Sequence, residues 1–214
     1  DDIVLFDDKD PSKEVARFPM LRQQTIHPDD RPNRSLADFV APREANLEDY
    51  VGAFAVSCGH GVAELVAKYE AEHDDYSAIL CKALADRLVE SFAERLHQEA
   101  RKIFGHGDAS GTSNTQLIQE NYRGIRPAFG YPACPDHLPK TPLFDLLDAP
   151  GIGITRTESL AMFPAASVSG IYLPHPEARY FGIGRITRGQ VADYAVRMGR
   201  PLPEIERWLA PSLA

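Results

Sequence analysis

The 214-residue chain has an ordinary globular composition, with 43% hydrophobic and 25% charged residues. Its formal net charge of -8 argues against nucleic-acid partners, because non-specific binding depends on Lys and Arg neutralising phosphates. No apolar run approaches the roughly 20 residues of a membrane span, and three scattered cysteines do not make a disulfide framework. The simplest prediction is a cytoplasmic protein with neither membrane nor nucleic acid as a partner.

The first part of the chain predicts two strands, an irregular connection and a helix. Ile3–Phe6 and Tyr50–Val56 are apolar runs typical of strands. Residues 11–32 are rich in Pro, Asp and Arg and predict irregular chain, with a helical turn starting at 21–24. Residues 62–72 predict a first helix.

A long helix over residues 75–103 is the clearest element. Asp74 is a suitable N-terminal cap, and Gly105 ends the helix. Apolar residues recur at three- and four-residue steps and trace one helix face: Tyr76, Ile79, Leu80, Ala83, Leu84, Leu88, Phe92 and Leu96.

Beyond this helix the sequence predicts shorter elements. They are helices at 114–119, 190–198 and 203–208, and strands at Val168–Leu173 and Tyr180–Ile186. The two strands lie too close together for a crossover helix, which favours antiparallel pairing. We therefore expect an α+β fold over residues 1–214, a single domain with a twisted, mostly antiparallel sheet and flanking helices.

The most informative segment is the loop from Arg123 to His137, which contains three prolines and two glycines. Such a composition predicts a rigid irregular loop whose backbone N–H and C=O groups are available to a ligand. Arg126 supplies a planar fork of donors suited to a carboxylate. Tyr131 and Cys134 add further polar groups along the same stretch.

Physical reasoning alone leaves several interpretations of this loop open. Cys134 and His137 could form a nucleophile and base, although such a pair also needs an orienting group and an oxyanion site. Cys-x-x-His could be half of a metal site, but no second half follows at a fitting spacing. The segment could also be a proline-rich connection whose Cys134 only packs and whose His137 only forms a hydrogen bond.

The same loop resembles a known family. Residues 125–137, IRPAFGYPACPDH, are similar to the RPAxGYPACPxH signature of the activation domain of cobalamin-dependent methionine synthase. Further blocks resemble that domain in the same order: 21–24, 36–42, 50–56, 82–88, 158–162, 166–170 and 206–211. The resemblance spans essentially the whole chain.

The resemblance implies a function in reactivation. In this family, cobalamin cycles while methionine is made from homocysteine, and cob(I)alamin occasionally oxidises to inactive cob(II)alamin. The activation domain then supports reductive remethylation, with S-adenosylmethionine as methyl donor and flavodoxin or a related reductase as electron donor. Cobalamin would be bound by another domain of the same enzyme, and zinc would lie outside this chain.

The resemblance also implies roles for individual residues. Arg126 corresponds to the arginine that holds the methionine carboxylate, and Ala128 to a position where loop backbone atoms contact the ligand. Tyr180 would line the adenosyl site, and the neighbouring Phe181 would also contact S-adenosylmethionine. Residues expected close to the cobalamin face or around the site are Tyr131, Glu90 and Glu120. Three of them also have a plain structural interpretation: Glu90 could be a solvated surface residue and Tyr180 could be strand core. Glu120 could be a capping residue, or a partner that neutralises Arg123 or Arg126.

Three departures bear on this assignment. The family has proline where this chain has Phe129, and the second member of a Tyr-Tyr pair is Phe181 here, without a hydroxyl. The chain also opens inside a strand-like segment without an initiator Met, so we expect a fragment that lacks an upstream aspartate for the ligand's amino group.

Two other functions remain as alternatives. A stand-alone S-adenosylmethionine-dependent methyltransferase would need a Gly-rich loop after a first strand and a parallel sheet, and the sequence predicts neither. A docking or regulatory domain that has lost S-adenosylmethionine binding through truncation is the second alternative. If the chain binds S-adenosylmethionine, the reactivation function is favoured over the docking or regulatory one.

Overall fold

The structure is a computed structural model that describes residues 1–28, 30–107 and 113–214. Within these ranges it has α+β architecture, and all strand pairs are antiparallel, as predicted. The predicted single sheet is divided into three two-stranded sheets. The strands are β1 (Asp2–Asp7), β2 (Asp10–Pro19), β3 (Gly52–Ser57), β4 (Thr155–Arg156), β5 (Met162–Phe163) and β6 (Ser167–Tyr172). The α-helices are α1 (Val62–Ala71), α2 (Asp75–Ile103), α3 (Asn114–Ile118), α4 (Lys140–Leu147), α5 (Arg188–Met198) and α6 (Leu202–Trp208).

Strands β1 and β2 form an N-terminal hairpin. The prediction of irregular chain after residue 11 is therefore wrong for β2. Its polar start is exposed, but Ala16, Phe18 and Met20 alternate along the chain and are all buried. This period of two is the strand signal that the surrounding charges obscured. The predicted helical turn at 21–24 is also wrong, because this segment has no helical residue and Arg22 forms a β-bridge with Ser35.

The central sheet pairs β3 with β6, from Gly52 opposite Tyr172 to Ser57 opposite Ser167. Helix α2 packs on this sheet through a row of small buried residues that includes Ala85, Val89 and Ala93. Small side chains let the helix axis approach the sheet closely. The sheet and α2 together form the frame on which the candidate site is built.

Helix α2 begins and ends as predicted, but its buried face is not the apolar face traced from the sequence. Asp74 caps the helix by accepting a hydrogen bond from the backbone N–H of Ser77 at 3.0 Å. Leu84 and Leu88, from the apolar face, are 53% and 59% exposed. Alanines fill much of the inward face instead, because the space against the sheet is narrow.

The segment Tyr180–Ile186 does not form the predicted strand. Gly184 adopts a φ of +72°, which interrupts an extended run. Single hydrogen bonds hold the segment instead, such as the one from the N–H of Ile183 to Pro132 O at 2.8 Å. Strand β6 pairs with β3, and the predicted hairpin between residues 168–173 and 180–186 is replaced by this irregular connection.

The C-terminal helices form a second core with this connection. Thr187 caps α5 through the N–H of Gln190 at 3.4 Å, and Gly199 ends it with a φ of +61°. The helix ends at Met198 as the sequence predicts and begins two residues earlier than predicted, and the boundaries of α6 agree with the prediction to within one residue. Buried apolar residues from α5, α6 and the connection meet in this core: Ile183, Ile186, Val191, Tyr194, Ile205 and Leu209.

None of the helices within the described ranges is long and apolar enough to cross a lipid bilayer.

Candidate functional site

The proline-rich loop is joined to the central sheet at its start. The backbones of Ile125 and Leu173 exchange two hydrogen bonds, of 3.1 and 3.0 Å, and Pro127 O accepts a third from the N–H of Ile171. Gly170 permits this close approach, because a Cβ at that position would overlap Pro127 O. The loop therefore leaves the sheet in a fixed direction, with Arg126 between the anchored positions.

The middle of the loop is a tight turn. Gly130 has a φ of +92°, and a Cβ there would overlap the His137 ring that packs over it. The N–H of Gly130 donates to Cys134 O at 2.9 Å, and the Cys134 thiol donates to Ala128 O at 3.1 Å. Phe129 is buried and stacks on Phe18 with 5.6 Å between ring centroids. The family signature that the loop resembles has proline at this position. Packing thus fixes the loop where a proline would have stiffened it.

A cleft of about 490 Å³ opens between this loop, α2, the central sheet and the connection after β6. This volume lies within the range of about 300–1,000 Å³ typical of small-molecule sites. Six of the seven residues named from the sequence line it: Glu90, Arg126, Ala128, Tyr131, Tyr180 and Phe181. Apolar walls come from Phe54, Val168 and the loop prolines.

Arg126 lies mostly buried at the cleft and is held by two side chains. Its Nη1 is 2.6 Å from Oε2 of Glu94 and 2.7 Å from the Tyr122 hydroxyl, to which it donates. Burial alone would lower the pKa of Arg126, but attraction to Tyr122 and Glu94 outweighs it and the pKa is raised. The guanidinium is therefore a permanent positive charge at the cleft.

Tyr180 and Phe181 form the opposite wall. The Tyr180 hydroxyl accepts a hydrogen bond from the backbone N–H of Arg126 at 3.1 Å, so this wall is tied to the loop. Burial raises the pKa of Tyr180, which keeps the hydroxyl protonated and able to donate to a ligand. Phe181 is half-buried and packs on the cores beneath the cleft.

Tyr131 and Glu90 stand at the outer edge of the cleft. Tyr131 is 61% exposed, and Glu90 is exposed on α2. Both residues also line a neighbouring cavity of about 370 Å³ that reaches the buried Lys140. They therefore form a shared rim that is open to a partner approaching from solvent.

Glu120 does not line the cleft. It is exposed just after α3, with a φ of +55°. Burial is the main reason that the pKa of Tyr180 is raised, and the Glu120 carboxylate acts in the same direction, which indicates that it is near. Arg126 pairs with Glu94 and Arg123 donates to Pro174 O, so the suggested pairing of Glu120 with either arginine is not observed among the described residues.

Cys134 and His137 do not form a nucleophile and base. The thiol is buried and donates to Ala128 O, and burial raises its pKa to about 12. Burial also lowers the pKa of His137, whose ring packs near Trp208. Within the described ranges, no cluster of three His, Cys, Asp or Glu side chains is arranged to hold a metal.

Sequence reasoning did not single out Glu94 and Tyr122, the two side chains that hold Arg126. Glu94 is four residues after Glu90 on α2, so helical spacing places both carboxylates on one side of the helix. Tyr122 is four residues before Arg126 in the loop. The contacts of Glu94 and Tyr122 with Arg126 cannot be predicted from local sequence, because they depend on how α2 packs beside the loop.

Comparison with known proteins gives the same assignment as the loop signature. Residues 1–199 match the family described as vitamin B12 dependent methionine synthase, activation domain. A solved structure, the crystal structure of the MetH reactivation domain bound to AdoHcy, is similar with a TM-score of 0.95 and 48% sequence identity. The match covers 100% of this chain and 66% of that one, so the chain spans just under two thirds of the solved relative. The chain thus belongs to the activation-domain family of vitamin B12-dependent methionine synthases.

Proposed function

We propose that the cleft binds S-adenosylmethionine and presents its methyl group for the reductive remethylation of cob(II)alamin in a methionine synthase. The observation that carries the proposal is the convergence of Arg126, Ala128, Tyr180 and Phe181 on one cleft. The similar reactivation domain was solved with AdoHcy, the demethylated form of the proposed ligand. The cleft has the size and mixed polarity that such a ligand requires.

Arg126 binds the carboxylate of the methionine moiety in this proposal. Its guanidinium is charged and partly desolvated, which strengthens a hydrogen-bonded pair with a carboxylate. Holding this end of the ligand fixes where the sulfonium methyl lies relative to the rim. In a methyl transfer whose nucleophile is already strong, such positioning is the main task of the protein.

The adenosyl part lies against the apolar walls and the loop backbone. Phe54, Val168 and Phe181 supply surfaces on which a planar ring can pack. The Ala128 carbonyl oxygen already accepts a hydrogen bond from the Cys134 thiol. Its second lone pair remains for a hydrogen-bond donor of the adenine or ribose. Because Phe181 lacks a hydroxyl, it contributes packing only.

The rim receives the cobalamin-binding domain of the same enzyme. Cobalamin, when bound to that domain, supplies the nucleophile that accepts the methyl group. Tyr131 offers an exposed aromatic face and Glu90 an exposed carboxylate, and docking would cover both. Covering the rim would also exclude water from the transferring methyl. Glu120, which is exposed and does not line the cleft, would lie at the edge of this interface.

We infer the wider setting from family membership. The parent enzyme would transfer methyl groups to homocysteine to give methionine, with flavodoxin or a related reductase as the electron donor and the cytoplasm as its location. Residues 1–214 would act as one activation domain, which agrees with a structural match over 100% of the chain. Zinc and the bound cobalamin would belong to other parts of that enzyme.

Calorimetric titration of S-adenosylmethionine into the chain and into Arg126→Ala tests this proposal. Loss of a charge-assisted pair worth about 1.5–3 kcal/mol should weaken binding by about 10- to 150-fold. Arg123→Ala is the matched control, because Arg123 is in the same loop but points to Pro174 O and does not line the cleft.

We expect the Arg123→Ala variant to bind as the parent chain does. Equal affinities of the parent chain and the Arg126→Ala variant would rule out Arg126 as the carboxylate site. Absence of binding by the parent chain would favour the docking or regulatory alternative.

A further inference from the structure

Arg126 belongs to a polar cluster that extends behind the cleft. Glu94 on α2 and Tyr122 just before the loop meet at the same guanidinium nitrogen, and Tyr122 donates its hydroxyl proton to Oε2 of Glu94 at 3.1 Å. The side chains of Arg126 and Glu94 are only 18% and 21% exposed. Ion pairs shielded to this degree are screened less by water and salt than surface pairs. Neither Glu94 nor Tyr122 lines the cleft.

The remaining members of the cluster hold Glu94 and Tyr122 in place. Nη1 of Arg101 is 3.8 Å from Oε1 of Glu94, so the carboxylate lies between two guanidinium groups. The Arg101 guanidinium also stacks 3.7 Å from the centre of the Tyr122 ring, and the His97 ring lies perpendicular to this ring with 5.2 Å between centroids. The charge of Glu94 is thus balanced from both sides, which limits its repulsion of a second carboxylate.

These contacts occupy one edge of the Arg126 guanidinium. Nη1 carries both polar contacts, whereas Nε and Nη2 have no hydrogen bond to any residue that the structure describes. A guanidinium binds a carboxylate best through two parallel N–H groups in a fixed plane. An unrestrained arginine would lose rotamer entropy on forming this pair, and a restrained one would not.

We propose that Glu94 is a positioning residue, which with Tyr122 fixes the Arg126 guanidinium so that Nε and Nη2 are presented to the ligand's carboxylate. This inference rests on the proposed function, since it concerns the same cleft and the same ligand. It adds a specificity device: the cluster favours adenosyl ligands that carry an amino-acid carboxylate over those that do not. Glu94 acts through Arg126 and does not touch the ligand.

The test compares two ligands that differ in the amino-acid portion. S-adenosylhomocysteine carries the carboxylate, whereas 5′-methylthioadenosine lacks the amino-acid group. The readout is the ratio of their dissociation constants, measured by calorimetry on the 214-residue chain. A general structural defect weakens both ligands and leaves this ratio unchanged.

We expect Glu94→Ala to reduce the preference for S-adenosylhomocysteine by about 2- to 12-fold, the cost of ordering one long side chain. Glu94→Gln, which keeps the side chain's shape and its oxygen acceptor, should retain the preference within about twofold. Combined with Arg126→Ala, Glu94→Ala should change the ratio no further, because its effect acts through Arg126.

The two proposals fail in different ways. If Arg126→Ala keeps the parent's preference, the proposed carboxylate site is wrong. If Arg126→Ala loses the preference and Glu94→Ala keeps it, only the positioning role is overturned. The same holds if Glu94→Gln binds S-adenosylhomocysteine more than about tenfold tighter than the parent chain does.

Should Glu94→Ala not fold, Tyr122→Phe removes the bridging hydroxyl and keeps the ring. The proposal predicts that this variant also reduces the preference, and an unchanged ratio would contradict it.

Discussion

At the scale of single residues, the polar tips of the proline-rich loop have different roles that the sequence alone did not separate. Arg126 lies at the cleft with a charge that its partners sustain. Cys134, eight residues further on, is turned into the protein and fixes the Ala128 carbonyl. A loop whose sequence suggests a row of reactive groups thus places one charged group, Arg126, at the cleft and uses Cys134 for structure.

The buried state of Cys134 predicts low reactivity. Burial raises its pKa from 9.0 to about 12, so at pH 8 the reactive thiolate is on the order of one part in ten thousand. Alkylation by iodoacetamide, followed by peptide mass spectrometry, should modify the half-buried Cys58 and Cys81 well before Cys134. The thiolate forms only as pH rises towards about 12, so raising the pH from 7 to 9 should not reverse this order.

The denatured chain provides the control, because all three cysteines should then react at similar rates. Rapid alkylation of Cys134 in the folded chain would contradict its assignment as a structural thiol and reopen its interpretation as a nucleophile.

At the scale of elements, α2 illustrates what periodicity can and cannot predict. Its length and both ends follow from capping residues and a continuous helical pattern, and these are local properties. Which face is buried depends on the partner, and the narrow gap above β3 and β6 selects alanine over leucine. The larger apolar residues therefore remain on the exposed side, although hydrophobicity alone favours them for the core.

Two neighbouring residues on α2 test this orientation. Val89→Ala removes buried methyl groups and should lower the free energy of unfolding by about 1.5–3 kcal/mol. Leu88→Ala removes more apolar volume from an exposed site, so it should change stability by no more than about 0.5 kcal/mol. Urea unfolding followed by circular dichroism measures both. The reverse order of the two effects would mean that the helix is turned the other way.

The elements that sequence reasoning missed have specific physical causes. Helix α4 contains Pro142, which reads as a helix breaker but lies in the first turn, where a backbone N–H has no helical acceptor. Strand β2 begins with charged residues, and only its last positions alternate. Residues 180–186 carry strand-forming side chains, but Gly184 and the lack of an adjacent strand leave them irregular.

At the scale of the whole molecule, the cleft is a product of tertiary assembly. Its lining comes from α2, the proline-rich loop, the central sheet and the connection that contains Tyr180. The family resemblance selected six of these lining residues, because it extends along the chain beyond the loop signature and aligns each position by itself. Glu94 escaped notice, since its contact with Arg126 joins positions 32 residues apart on different elements. Composition and periodicity predict the fold class, whereas a network of side chains requires coordinates.

The most direct test of the account is a crystal structure of this chain with S-adenosylhomocysteine. We predict that the ligand lies in the cleft, with its carboxylate within about 3 Å of Nε or Nη2 of Arg126, a normal charge-assisted contact. Its adenosine should lie between the loop at Ala128 and the wall formed by Tyr180 and Phe181. A ligand bound elsewhere, or one whose carboxylate lies away from Arg126, would contradict the assigned site and the function built on it.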